Sequence, residues 1–120
     1  HICRLEEWPD ALVRSFGKMN KQVYVLMQGP SEFGASGRLE KWDRKADLGK
    51  ITVPTLAIGA THDTMDPEHM RWVPTQVKQG SFLLCPNGSH LAIWDDQRAY
   101  ASGLVRFLKA VDAGQSSVTF

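Results

Sequence analysis

The stretch from Ile51 to Pro67 constrains this chain more than any other. Val53 to Ile58 are mostly β-branched or aliphatic and carry no charge. A continuous apolar run of this kind predicts a buried parallel strand covered on both faces. The run stops at Gly59, and the polar turn beyond it carries Asp63. Asp66-Pro67 then reads as a helix start, with Asp as N-cap and Pro in the first helical position. In open α/β sheets, chemistry sits beyond the carboxyl ends of the strands. Asp63 therefore stands where a catalytic carboxylate is expected.

The rest of the second half follows the same rhythm. Residues 68–78 predict a helix with Met70, Val73 and Val77 inward, kinked or shortened by Pro74. Ser81 to Cys85 is a second short apolar strand, ending in the turn Pro86-Asn87-Gly88-Ser89-His90. Asp95 and Asp96 open a last helix, in which Tyr100, Gly103, Leu104, Phe107, Leu108 and Val111 recur at helical spacing. Strand, helix, strand, helix implies an α/β fold with parallel strands and crossover helices. Two strands make a poor sheet alone. The expectation is a fragment with further strands before residue 1, and the Met-less start His-Ile-Cys-Arg points the same way.

Upstream, residues 1–28 read as helical. Trp8-Pro9-Asp10 marks one start, with Leu12, Val13, Phe16 and Met19 on an apolar face. Asn20 is a plausible cap for a second segment, which Gly29-Pro30 ends. Residues 29–47 read as a loop with short turns, rich in Gly and Ser yet holding Glu32, Phe33 and Trp42. Loops of that make-up tend to carry function. A boundary falls near residue 47, giving segments 1–47 and 48–120.

At 120 residues the chain is sized for one domain. A net charge of +1 gives no electrostatic case for nucleic acid or an anionic membrane. No apolar run is long enough to cross a bilayer. Cys3 and Cys85 fit no metal or redox spacing, so they read as reduced thiols of an intracellular, cytoplasmic protein. No cofactor is expected.

Asp63 and His90 follow the ends of two successive strands, 27 positions apart with one helix between. Neighbouring parallel strands bring both to the same sheet edge. A carboxylate there holds the imidazole through one nitrogen and leaves the other to take a proton from a nucleophile. The order acid-then-histidine matches the late part of an α/β-hydrolase chain, in which the nucleophile comes first. Either residue alone has an ordinary explanation: an Asp that bonds its own turn, or an exposed His. No Gly-x-Ser-x-Gly elbow occurs. Ser31, Ser89 and Cys85 are poor substitutes by context. A rival cluster, His62, Asp63, Asp66, Glu68 and His69, has metal-type residues at no standard ligand spacing.

Gly29-Pro30-Ser31-Glu32-Phe33, Trp42-Asp43, Pro54-Thr55-Leu56 with Gly59 and Asp63, and Asn87-Gly88-Ser89-His90 together resemble the C-terminal part of proline iminopeptidases. These are serine peptidases of the α/β-hydrolase fold. The resemblance runs from about Leu5 to Phe107. It implies that Asp63 is the triad acid, His90 the general base, and residues 1–47 the end of a helical cap. It also implies that Glu32 binds the free α-amino group of a peptide substrate. The family uses a second acidic cap residue, for which Glu6 and Glu7 are nearby candidates and none is assigned.

The expected function is therefore a fragment of a serine aminopeptidase that releases N-terminal residues, proline preferred. Its partners are a peptide with a free N-terminus and an upstream segment carrying the nucleophile. By itself the chain is expected to be inactive. Two alternatives stay open: another α/β hydrolase of esterase or epoxide-hydrolase type, or a non-catalytic fragment that pairs with a partner through exposed sheet edges.

Overall fold

The computed structural model describes residues 2–31 and 33–120. Two compact units emerge, Glu7–Lys45 and a second made of His1–Glu6 with Ala46–Phe120.

In the first unit, α1 spans Asp10–Gly17. Pro9 has no amide hydrogen to give, and its carbonyl accepts the N–H groups of Leu12 at 2.9 Å and Val13 at 3.1 Å. Leu12 is buried, and the Trp8 and Phe16 rings lie 5.8 Å apart. Helix α2 spans Lys21–Met27, with the Asn20 side chain accepting the Val23 N–H at 3.2 Å. Gly29 then takes a φ of 100°, which costs a side-chain-bearing residue dearly. The chain turns back so that Arg38 and Leu39 donate to the Leu26 and Met27 carbonyls at 3.1 and 2.9 Å. Ser36 and Gly37 donate to the Gln28 carbonyl at 2.9 and 3.2 Å. Carbonyls that α2 cannot satisfy internally are thereby bonded.

The second unit opens its regular structure with a 3₁₀ turn, Lys45–Lys50. Strand β1 (Thr55–Ala60) is followed by α3 (Pro67–Trp72), a 3₁₀ turn at Val73–Gln76, and β2 (Gly80–Cys85). Helices α4 (Ala92–Asp95) and α5 (Gln97–Asp112) complete it. The two strands are parallel, in register from Thr55 opposite Gly80 to Ala60 opposite Cys85. Asp66 caps α3 by accepting the Glu68 N–H at 2.9 Å. Pro74 ends the α-helical pattern, because its ring cannot join the ladder.

Helices pack on both faces of this ribbon, α3 against β1 and α5 against β2. On one face Ala60 and Cys85 join Ala92 in a core, with Ile58, Ala99 and Tyr100 around it. Phe107 of α5 is buried as well, a contribution of about 1.5–3 kcal/mol by transfer of its side chain from water. On the other face Gly59 lies beneath Met70 and the Phe82 ring.

Two expectations shift. Strand β1 starts at Thr55, two residues later than the apolar run, and Val53 is 63% exposed. Pro54 cannot donate, and the first ladder bond runs from the Thr55 N–H to the Gln79 carbonyl at 2.9 Å. Residues 2–9 are not helical. Pro9 stops α1 from extending back, and the backbone of Ile2 and Arg4 is bonded to residues far along the chain. Among the described residues, no helix is long and apolar enough to cross a membrane.

Candidate active site

Beyond β1 and β2 the ladder continues into the two turns. The Thr61 N–H reaches the Cys85 carbonyl at 3.2 Å, and the His62 N–H reaches the Gly88 carbonyl at 3.0 Å. These bonds set the turns side by side. Asp63 Oδ1 and His90 Nδ1 then meet at 3.0 Å. A carboxylate only accepts, so in the neutral ring this contact places the proton on Nδ1 and leaves Nε2 as the nitrogen with a lone pair for proton transfer.

The carboxylate is fixed by its own turn. Asp63 Oδ1 also accepts the Met65 N–H at 3.0 Å and the Thr64 hydroxyl at 3.3 Å. Its side chain is 11% exposed, against 45% for His90. The acid is thus sheltered while the imidazole stays accessible. Both border a hollow of about 390 Å³, whose apolar wall includes Leu56, Ile58 and Tyr100.

The turn carrying His90 is held from beneath by two carboxylates that sequence reasoning assigned only to a helix start. Asp95 Oδ1 accepts the Ser89 N–H at 3.0 Å. Asp95 Oδ2 accepts the Ser89 hydroxyl and, at 2.7 Å, the Arg4 N–H. Asp96 Oδ2 accepts the Asn87 N–H at 2.9 Å. The adjacent acids five and six residues after His90 were the available signal, but helix-capping acids look the same in sequence. Burial acts to raise the Asp95 pKa. Hydrogen bonds from the Ser89 hydroxyl and the Ser89 and Arg4 N–H groups, with the Arg4 charge, outweigh it and hold the carboxyl below 3.8.

The other candidate residues separate cleanly. Ser89 is 1% exposed, with its hydroxyl donated to Asp95 and lying 2.8 Å from the Ile2 carbonyl. Cys85 is fully buried, and burial, with the charges of Asp96 and Asp95, pushes its thiol up to about 11. Ser31 Oγ accepts the Phe33 N–H at 3.2 Å in a tight turn. Glu32 lies outside the described residues. Of the rival cluster, Asp66 is spent on capping α3 and His69 stacks on Trp72 at 5.4 Å. Among the described residues no three metal-type side chains converge.

No family model matches the chain. A solved structure of proline iminopeptidase from Mycobacterium smegmatis superposes on 95% of it with a TM-score of 0.87 at 26% identity. That of VinJ covers 92% with a TM-score of 0.84, also at 26% identity. Parallel strands flanked by helices, with this likeness, make the chain the C-terminal portion of an α/β-hydrolase fold. Proline iminopeptidases of Flavobacterium johnsoniae and Elizabethkingia meningoseptica are 56% and 57% identical to it over 112 and 114 residues. In sequence the chain is the counterpart of the C-terminal part of the proline iminopeptidases. It covers 38% of the length of each of these two relatives, which in turn match 93% of the chain.

Proposed function

We propose that this chain supplies the acid and the general base of a serine aminopeptidase that releases N-terminal residues, proline preferred, from short peptides. The observation that carries the reading is the 3.0 Å contact between Asp63 Oδ1 and His90 Nδ1 at adjoining strand ends. The high identity to proline iminopeptidases supports the substrate class.

In this reading the nucleophilic serine comes from a segment outside these 120 residues. Its oxygen attacks the carbonyl of the substrate's first residue while His90 Nε2 takes the proton. His90 then returns that proton to the leaving amine, and a water molecule repeats the cycle on the acyl-enzyme. Asp63 holds the productive tautomer and stabilises the imidazolium. Glu32 is assigned to the substrate's ammonium group on the family resemblance; a carboxylate in a closed cleft is the natural partner for that charge.

The test compares an L-proline arylamide with its N-acetylated form on the complete protein. Hydrolysis of the free amine alone is the expected result. Equal turnover of both would replace the aminopeptidase reading with a general hydrolase. Glu32→Ala should depress turnover of free-amine substrates and spare simple esters. Equal losses on both would remove Glu32 from amine recognition.

A further inference from the structure

The residues on either side of His90 are tied to the same two places. Before it, the Ser89 N–H and hydroxyl both reach Asp95, and the hydroxyl also lies 2.8 Å from the Ile2 carbonyl. After it, the Leu91 N–H donates to that same Ile2 carbonyl at 2.9 Å. The Arg4 N–H closes the ring on Asp95 at 2.7 Å. The peptide path through residue 90 is therefore bracketed by one carboxylate and one carbonyl. The imidazole itself is 45% exposed, so packing covers only part of the ring.

We infer that Asp95, acting through Ser89 and with the Ile2 carbonyl, is the positioning residue that aims His90 at Asp63 and at the nucleophile. The inference rests on the aminopeptidase reading for its chemistry and adds a residue to which that reading gives no role. The physical reason is direct. A loop imidazole with a free backbone spreads over rotamers, and only those near the acid are productive. Two bonds from Ser89, one from its N–H and one from its hydroxyl, to a single partly buried carboxylate remove the backbone part of that freedom.

A small fluorophosphonate without an amino group tests this in the complete protein. The serine oxygen bonds to phosphorus, fluoride leaves, and the serine proton passes to His90. The labelling rate reports how well His90 is placed, and the final extent reports how many molecules are folded and competent. Substrate kinetics run in parallel. Ser89→Ala and Asp95→Asn should each slow labelling and lower kcat by about tenfold to a hundredfold, the cost of a misplaced catalytic group. The labelled extent and KM should stay close to wild type. Asp95→Glu should recover part of the rate, because it restores the charged acceptor.

Wild-type rates in both Ser89→Ala and Asp95→Asn would overturn the positioning role. So would losses confined to the labelled extent, which would make Asp95 a folding residue only. If His90→Ala labels as fast as wild type, the aminopeptidase reading itself fails, and this outcome is separable from the other two.

Discussion

Gly103 of α5 and Leu83 of β2 approach so closely that a Cβ at position 103 would lie 2.7 Å from Leu83 Cδ1 and nearer still to Cδ2. Both residues are buried. The glycine is thus the notch that lets the last helix settle on the strand preceding the His90 turn. Gly103→Ala gains about 1 kcal/mol of helix propensity. It also overpacks a filled site at a cost of about 1–3 kcal/mol. Overpacking should win, and thermal unfolding should show a midpoint several degrees lower. An unchanged or higher midpoint would mean that Leu83 repacks freely.

Asp63→Asn keeps the shape of the acid but lets the 63 side chain donate as well as accept. The His90 tautomer is then no longer dictated. In the complete protein, turnover should fall on the order of 10⁴-fold, as expected for loss of the triad acid. Near-normal turnover of a proline arylamide would remove Asp63 from that role.

Asp95 gives stability an acid limb of known sign. Its folded-state pKa is held below 3.8, so its ionised form favours the folded state. That contribution is complete above the unfolded-state value and drains away as pH falls through the folded-state value. Denaturant midpoints measured between about pH 6 and pH 2 should therefore decline less steeply on the acid side in Asp95→Asn than in the parent. Parallel curves would show that the carboxylate contributes no such linkage.

The two thiols should differ in reactivity. Cys85 is fully buried with a pKa raised to about 11, whereas Cys3 is half-buried. Iodoacetamide at about pH 8 should alkylate Cys3 first under native conditions, and both thiols only in denaturant. Equal native rates at the two positions, read by mass spectrometry, would contradict the burial of Cys85.

Sequence reasoning located β1, β2 and α5 because each is specified locally. Apolar runs bounded by Gly, Pro and Asp leave few alternatives, and the three-and-four spacing in α5 is long enough to be unambiguous. The contact between Asp63 and His90 was legible for the same reason, since both residues follow strands that had to be neighbours. Other features were decided at a distance. Ile2 and Arg4 sit in a stretch that reads as helical, yet their backbone groups pair with Leu91 and Asp95. Asp95 and Asp96 look like caps, and their oxygens are instead turned to Ser89 and Asn87. No short window of sequence holds both halves of the Ile2 and Arg4 bonds, whereas the Asp95 and Asp96 bonds span six and nine residues and are masked by the likeness to helix caps. Val53 shows the smaller limit: its apolar character suits a strand, and one proline moves the boundary past it.

The bond between the Leu91 N–H and the Ile2 carbonyl joins positions 89 apart in the sequence (91 minus 2). A loop of that length is closed late, because its entropic cost must be met before the contact returns anything. During synthesis Ile2 emerges long before Ser89 and Asp95 exist. The turn that carries His90 can therefore lock only after Asp95 has emerged as well. A product that stopped short of Asp95 would hold the strand and the acid without the carboxylate that ties down the histidine turn. In a hydrolase, that order of assembly would leave the base unaimed until Asp95 has joined the turn.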